Sequence, residues 1–333
     1  MKPPKRILLV RPSALGDVCR TVPLAASLKR HWPEAEIDWV VNAPFADAVR
    51  GHPAVRRTIR FDRKSIGRSL ARGNPTPLRR FVAKLRSRQY DIAIDAQGLA
   101  RSAAVTRLSG APIRVGHADA RELGWTVLTH RVTSPADAHT VDRMLDLLGP
   151  LGVPPRDDMT LSPPADSRYD AAIAPHAIVL APTSIWPGKQ WPIARFHELA
   201  ARLHAKDVGP FVVVGGPGER DQCEPLLSDG SLPVVDFVGK TSVGQLMDII
   251  RRCRLVVAND SAALHMAVGF DKPVVALFGP TDTRRVGPYR RSDDVLQHTS
   301  ETSTATHKDE SAGRAMMERI SVDEVEAAVL DRL

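Results

Sequence analysis

The sequence has few cysteines and no long hydrophobic run. Only Cys19, Cys223 and Cys253 occur among 333 residues, without metal-binding spacing, which argues against a disulfide framework and a structural zinc site. The apolar run from Ile7 to Val10 is too short for the core of a signal peptide, and no stretch approaches the roughly 18 apolar residues that span a bilayer. We therefore expect a cytoplasmic protein whose association with a membrane is at most peripheral.

Several catalytic motifs are absent from the sequence. There is no GxGxxG before the first helix, no GxxxxGK[ST], no GxSxG and no HExxH. These absences disfavour a dinucleotide oxidoreductase, a P-loop NTPase, an α/β-hydrolase and a zinc protease. No Asp-x-Asp pair occurs either, so we expect no metal-bound sugar nucleotide and no cofactor.

Acidic residues are scarce in one part of the first half. Between Arg50 and Arg88 there are thirteen Lys or Arg residues and one acid, Asp62, in a chain of net charge +8. This asymmetry favours a polyanionic partner such as a phosphorylated lipid or an anionic membrane, although a solvated basic face is an alternative. Phe61 and Phe81 are the only aromatics in this stretch, too few to stack on bases, so nucleic acid is not expected as a partner.

Short apolar runs alternate with amphipathic segments along the chain, which predicts an α/β protein with two doubly wound domains. Six prolines between Pro150 and Pro175 indicate the linker. We predict domains at 1–165 and 166–320 and a closing helix at 321–333. The polar segment 290–313 is predicted to be a loop or a partly disordered segment. The predicted strands are Arg6–Val10, Ile37–Val41, Thr58–Phe61, Asp91–Asp95, Ile113–Gly116, Ala177–Leu180, Phe211–Val214, Leu255–Ala258 and Val274–Leu277. The predicted helices are Val18–His31, Leu78–Arg88, Ile193–Lys206, Gly218–Leu227, Val243–Arg252, Ala262–Gly269 and Val322–Leu333.

The first candidate site is the loop RPSALGD, which follows the first predicted strand. Asp17 stands at the start of the next helix, where it can serve simply as a helix cap. In open α/β sheets, however, ligands bind beyond the carboxyl ends of the strands, where this loop lies. A carboxylate there can accept a proton from a hydroxyl group.

Two further loops suit a diphosphate. APTSIWPGKQWP offers the hydroxyls of Thr183 and Ser184 and the cation of Lys189. NDSAALHMAVGFDKP begins a helix whose small residues leave its first amides accessible to phosphate. The residues of interest in this second loop are Asp260, Ser261, Ala262, Ala263 and His265. His265 taken alone is better explained as a packed helix residue.

Taken together and in this order, the segments RILLVRPSALGDVCRTVPLAASLKR, IDAQGLARSA, APTSIWPGKQWP, GGPGERD and NDSAALHMAVGFDKPVVALFGPTD resemble glycosyltransferase family nine, the ADP-heptose:lipopolysaccharide heptosyltransferases. IDAQGLARSA and HTVDRMLDLLGPLGV look most like heptosyltransferase I. The resemblance implies the GT-B architecture, two Rossmann-like domains facing across a cleft. It also implies transfer of heptose from ADP-heptose, a nucleotide diphosphate sugar, to the Kdo residue of an anionic glycolipid at the inner membrane.

Carried over to this sequence, the resemblance makes Asp17 the base that deprotonates the acceptor hydroxyl, with inversion and without a metal. Lys189 becomes the cation on the leaving diphosphate. The donor-binding residues that it implies are Thr183, Ser184, Lys189, Glu219, Asp260, Ser261, Ala262, Ala263 and His265. Ala262 stands where the family usually has glycine. The acceptor-binding residues that it implies are Arg63, Lys64, Arg121, His139 and Arg143.

Three alternatives remain open at this stage. A related transferase could use another donor or acceptor, a GT-B epimerase would alter the sugar nucleotide without an acceptor, and a non-catalytic module would only bind it. Intact Asp17 and Lys189 favour an enzyme. The sequence leaves the acceptor sugar and the oligomeric state undecided.

Overall fold

The protein is described by a computed structural model that covers residues 2–167, 176–298 and 309–333. The chain divides into two compact units, Met1–Ala165 and Asp166–Leu333. Each unit contains a parallel sheet of six strands with helices packed against it. No described helix has both the length and the apolar character needed to cross a bilayer.

The first unit contains six strands in the order β3-β2-β1-β4-β5-β6. The strands are β1 (Arg6–Val10), β2 (Glu36–Asn42), β3 (Arg57–Phe61), β4 (Ile92–Asp95), β5 (Ile113–His117) and β6 (His130–Val132). The helices are α1 (Leu15–Arg20), α2 (Val22–His31), α3 (Asp47–Arg50), α4 (Arg63–Ala71), α5 (Thr76–Arg86), α6 (Ala100–Leu108) and α7 (Thr140–Asp146). Every strand pair is parallel.

The second unit repeats this plan in the order β12-β11-β10-β7-β8-β9, again with all pairs parallel. The strands are β7 (Ile178–Ala181), β8 (Phe211–Val213), β9 (Val234–Asp236), β10 (Leu255–Asn259), β11 (Val274–Phe278) and β12 (Val295–Gln297). The helices are α8 (Ile193–His204), α9 (Arg220–Leu227), α10 (Val243–Arg252), α11 (Ala262–Gly269), α12 (Thr283–Val286), α13 (Glu310–Met317) and α14 (Val322–Asp331).

The central strands are buried on both faces, which is why they read in the sequence as continuous apolar runs. All residues of β4, β7, β10 and β11 are buried. Helices cover the sheet and complete the core; in the second unit, Val322, Val325 and Val329 of α14 join the same apolar cluster as Phe196 of α8. The last helix is therefore part of the core of the second unit.

The structure corrects two predicted elements. The single helix predicted over Val18–His31 is two helices, α1 and α2, because Pro23 cannot donate the amide hydrogen bond that would continue α1. The polar segment 290–313 was predicted to be a loop, but it contains the strand β12, and α13 begins at Glu310. Residues 299–308 of that segment, like residues 168–175 of the proline-rich linker, lie outside the described residues.

Candidate functional site

Both sheets contain a point at which the chain reverses its direction of winding. In the first unit, β1 and β4 are neighbours in the sheet. The chain leads from β1 through β2 to β3 at one edge, and from β4 through β5 to β6 at the opposite edge. In the second unit, β7 and β10 have the same relationship. Such switch points leave a crevice beyond the carboxyl ends of the two strands, where α/β proteins bind ligands. The loops after β1, β7 and β10 are the three loops that the sequence indicated.

Asp17 lies in the loop region after β1, at the third residue of α1. Its carboxylate forms ion pairs with Arg11, at 2.7 Å, and with Arg20, at 2.5 Å. It also accepts the backbone N–H of Ala14 at 3.3 Å, so it caps α1 from inside the first turn and not from the residue before it. The Asp17 side chain is 25% exposed, and a ligand can therefore reach it.

The loop that carries Asp17 is tied to the loop after β4. Arg11 is 6% exposed and donates to the carbonyl oxygen of Ala96, while the N–H of Ser13 donates to Gln97 Oε1 at 3.2 Å. One guanidinium thus joins Asp17 to the loop after β4. These contacts cross the switch point between β1 and β4 and fix the position of the Asp17 carboxylate.

Buried Asp95 organises the loop after β4. Its carboxylate accepts the N–H groups of Gln97 and Gly98 and the hydroxyl of Ser102, each at 3.0 Å. Burial raises the pKa of Asp95, and these hydrogen bonds, led by the one from Gly98, oppose that shift. Asp95 was not predicted as a site residue, although an acid at the end of a buried strand, followed closely by glycine, was an available signal.

The five predicted acceptor residues form two groups on the first sheet. Exposed Arg63 and Lys64 begin α4, directly after the edge strand β3. Arg121 follows β5, while His139 is the N-cap of α7, after β6, and Arg143 lies in the last turn of that helix. Since β3 and β6 are five strand spacings apart, about 24 Å, the two groups do not form one cluster. Asp17 follows β1, which lies between them.

His139 and Arg143 have defined partners in the second group. His139 is the N-cap of α7, and its Nδ1 accepts the N–H of Val141 at 3.1 Å. Arg143 donates to both oxygens of Asp119, at 2.7 and 3.0 Å. Asp119 lies two residues before Arg121, so this ion pair holds α7 against the loop that carries Arg121.

His117, at the end of β5, was not predicted as a site residue. It is 5% exposed, and neither ring nitrogen has a hydrogen-bond partner among the residues that the structure describes. Burial, together with the positive charge of Arg143, lowers the pKa of His117 to about 4. The ring is therefore neutral at physiological pH.

In the second unit, an ion pair crosses the switch point between β7 and β10. Lys189 Nζ lies 2.6 Å from Asp260 Oδ2, which also accepts the hydroxyl of Thr281 at 2.9 Å. The hydroxyl of Ser184 donates to the carbonyl oxygen of Asp260 at 3.4 Å. The structure thus brings Ser184, Lys189 and Asp260 together, and it adds Thr281, which the sequence analysis did not select.

The start of α11 follows Asp260 directly. Ser261 is the N-cap residue, but its side chain makes no capping hydrogen bond. Its hydroxyl is buried and has no hydrogen-bond partner among the described residues, which leaves it and the first amides of α11 available to an anion. Ala262 is the first helical residue, Ala263 is 6% exposed and His265 is 3% exposed.

The remaining donor-site candidates lie after β7 and β8. Thr183 is buried directly after β7. Glu219, the N-cap of α9, accepts the N–H of Gly216 at 2.6 Å and so closes the GGPG turn. Within residues 2–167, 176–298 and 309–333, no three His, Cys, Asp or Glu side chains are grouped to hold a metal ion. The positive groups of this site are the Lys189 ammonium and the helix amides.

Comparison with known proteins identifies close relatives. The family model described as glycosyltransferase family 9 (heptosyltransferase) matches residues 78–315. Over 296 residues, the chain is 31% identical to lipopolysaccharide heptosyltransferase 1 of Pseudomonas aeruginosa, and the match covers 86% of this chain and 82% of that protein.

Solved structures match over almost the whole chain. The structure of E. coli heptosyltransferase WaaC with ADP has a TM-score of 0.82 at 23% identity and covers 98% of this chain and 100% of that one. WaaC with ADP-2-deoxy-2-fluoro heptose has a TM-score of 0.78 at 22% identity, with the same coverage. These matches confirm the predicted fold class, the GT-B fold with two Rossmann-like domains.

Proposed function

This chain belongs to glycosyltransferase family 9 (heptosyltransferase), and from that membership we propose that it transfers heptose from ADP-heptose to the Kdo region of a lipopolysaccharide-type glycolipid. Its class, glycosyltransferase, follows from the membership itself. The donor, the acceptor, the stereochemistry and the residue roles belong to the proposal, as does its place on the cytoplasmic face of the inner membrane. Its relative in Pseudomonas aeruginosa is named lipopolysaccharide heptosyltransferase 1.

The donor site of the proposal lies at the switch point of the second unit. The observation that carries it is the pair of Lys189 and Asp260 beside the Ser261 hydroxyl, which has no hydrogen-bond partner among the described residues. A diphosphate needs hydrogen-bond donors and positive charge, and this place offers an ammonium, a hydroxyl and the N-terminus of α11. WaaC structures with ADP and with ADP-2-deoxy-2-fluoro heptose support an ADP-sugar as the ligand.

The leaving group is stabilised without a metal in this proposal. When the bond between the anomeric carbon and the diphosphate breaks, negative charge grows on the departing ADP. Lys189 and the amides of α11 stabilise that negative charge and so lower the activation barrier for transfer. We therefore expect transfer to continue in the presence of a chelator such as EDTA.

Asp17 is the proposed base. It accepts the proton of the acceptor hydroxyl as the hydroxyl oxygen attacks the anomeric carbon from the side opposite the diphosphate, which inverts the configuration. Arg11 and Arg20 hold its carboxylate in one orientation and stabilise it as an anion before the reaction. The acceptor, an anionic glycolipid, is proposed to contact Arg63, Lys64, Arg121, His139 and Arg143.

An Asp17→Asn variant tests this function directly. It keeps the shape of the side chain but removes its ability to accept a proton, so we expect transfer to fall by at least about 10³-fold while calorimetric binding of ADP is retained. The matched control is Asp47→Asn, which alters a carboxylate of similar exposure, 23%, that also pairs with an arginine three residues later.

Three outcomes would contradict the proposal. Near wild-type turnover in the Asp17→Asn variant would exclude Asp17 as the catalytic base. A preference for UDP-sugars or GDP-sugars over ADP-sugars, measured by calorimetry, would overturn the donor. NMR evidence of a retained anomeric configuration in the product would exclude the single displacement.

A further inference from the structure

Three consecutive helices, α4, α5 and α6, form one layer on the sheet of the first unit. Phe81 and Leu85 of α5 and Val105 of α6 belong to one buried apolar cluster with the strands, and Ile66 of α4 packs against it. The inner side of the layer is therefore an ordinary core face. Its outer side has a different composition.

The charged side chains that α4, α5 and α6 themselves expose are all positive. No acid occurs between Arg63 and Tyr90, and none occurs in α6. Ten Lys or Arg side chains are exposed there, and none of them has an ion-pair partner within the described parts of the chain. These residues are Arg63, Lys64, Arg68, Arg72, Arg79, Arg80, Lys84, Arg86, Arg101 and Arg107. We call this surface the basic layer.

Several exposed cations of the second unit are paired with acids, unlike those of the basic layer. Arg202 pairs with Glu198, Asp323 and Glu326, and Lys240 pairs with Asp236. The basic layer thus concentrates uncompensated charge on one face, where the ten cations repel each other. Such a surface gains most from a partner that supplies many negative charges at once.

Two features favour a lipid surface over a nucleic acid. Leu70 is 43% exposed between Arg68 and Arg72, and an exposed leucine among cations suits the boundary between headgroups and acyl chains. Phe81 is the only aromatic residue of the three helices, and it is buried, so the layer has no ring on which a base could stack.

We propose that the basic layer docks the enzyme on the surface of an anionic lipid bilayer. The choice of a bilayer as the occupant rests on the proposed function, since a glycolipid acceptor lies in such a surface. Each Lys or Arg close to an anionic bilayer strengthens binding about fivefold, so the ten cations are sufficient for peripheral attachment without a lipid anchor. Attachment would weaken as salt concentration rises.

The test uses the full chain and sedimentation with vesicles, without donor or acceptor. Vesicles of equal parts phosphatidylglycerol and phosphatidylcholine are compared with phosphatidylcholine alone. The test variant reverses three charges on α5, Arg79→Glu, Arg80→Glu and Lys84→Glu. The control variant reverses three exposed cations outside the layer, Lys2→Glu, Arg156→Glu and Arg319→Glu, so both variants change net charge equally. Circular dichroism verifies that both are folded.

We expect the wild type to bind only the anionic vesicles, the α5 variant to lose about a hundredfold or more in partition, and the control to lose much less. Equal losses in the two variants, or binding to phosphatidylcholine alone, would overturn the proposal. If the wild type bound an RNA oligonucleotide more tightly than anionic vesicles, and the α5 variant lost that binding, the layer would be a nucleic-acid surface instead.

A second measurement separates this proposal from the proposed function. Transfer to a water-soluble acceptor fragment should be unchanged in the α5 variant, while transfer to acceptor embedded in anionic vesicles should fall. If no heptose is transferred at all, the vesicle experiment still decides the docking surface. If the protein does not bind anionic vesicles, transfer to the soluble acceptor still tests the proposed function independently.

Discussion

Lys189 donates a hydrogen bond to Asp260 over 2.6 Å, and the two residues come from the loops after the neighbouring strands β7 and β10. Their side chains are 14% and 11% exposed. The ammonium is thus held in place before any ligand binds, and an incoming diphosphate can use it without first ordering a flexible side chain.

Replacing Lys189 by methionine should strongly reduce the rate of transfer from the donor. The variant keeps the length of the side chain but removes the charge that opposes the developing charge on ADP, so we expect kcat/KM for ADP-heptose to fall by about 10²–10³-fold. Lys240→Met is the control, since Lys240 also lies 2.6 Å from an aspartate but is exposed. Steady-state kinetics and calorimetry with ADP provide the measurement, and equal behaviour of the two variants would contradict the role of Lys189.

Ser261→Ala should separate stability from binding. The Ser261 hydroxyl is buried without a hydrogen-bond partner among the described residues, so its removal should leave the melting temperature unchanged or raise it. If it binds the diphosphate, affinity for ADP should fall about 5- to 10-fold.

Ser242→Ala is the opposite case and serves as the control. Ser242 caps α10 by accepting the N–H of Gln245 at 3.2 Å, so this variant should lose about 1 kcal/mol of stability and retain ADP affinity. Thermal unfolding and calorimetry on both variants provide the comparison. A loss of stability in Ser261→Ala with unchanged ADP affinity would show that its hydroxyl is structural.

His117 should make the first unit acid-sensitive. Its pKa is about 4 in the folded protein and about 6.5 when unfolded, so between these values only the unfolded chain binds the proton. Stability that is present above pH 6.5 is therefore lost as pH falls toward 4, by about 3 kcal/mol at most. His117→Gln should remove this loss, whereas the exposed His204→Gln should not. Denaturant titrations across this range and NMR titration of the ring test it, and a ring that protonates near pH 6.5 would refute it.

Tyr90→Phe should destabilise the first unit. The Tyr90 hydroxyl donates to Asp38 Oδ2 at 2.6 Å, and Asp38 is fully buried with Arg57 at 2.8 Å. Because the acceptor is charged and cannot recover the bond from water, we expect a loss of about 1.5–3 kcal/mol. Urea unfolding measures it, and combining the variant with Asp38→Asn should give less than the sum of the two losses.

Most of the fold could be predicted from periodicity, because strands buried on both faces appear as short apolar runs. The strand Arg6–Val10 and the helices Val243–Arg252 and Ala262–Gly269 were predicted with their observed bounds. The strands β6, β9 and β12 were missed, since each has only three residues and lies at a sheet edge, where partial exposure weakens the apolar pattern. The helix α13 was missed because its apolar residues, Met316 and Met317, come at its end.

The candidate sites were only partly predictable. Sequence order located the loops after β1, β7 and β10, since the carboxyl ends of parallel strands meet at one edge. It could not show that Asp260 pairs with Lys189, 71 residues away, or that Ser13 contacts Gln97, 84 residues away. Such partners depend on which strands are neighbours, which is a property of the folded sheet.

Arg11 ties two distant stretches of sequence to one carboxylate, and this should constrain how the chain diverges during evolution. An insertion of one residue in β4 would shift the Ala96 carbonyl by about 3.3 Å and break its bond to the guanidinium that also holds Asp17. The connection that contains α4 and α5 can change length without moving either partner. Insertions and deletions among descendants of this gene should therefore accumulate in the exposed turn at residues 72–75, between α4 and α5, and be purged around residues 11–17 and 95–98.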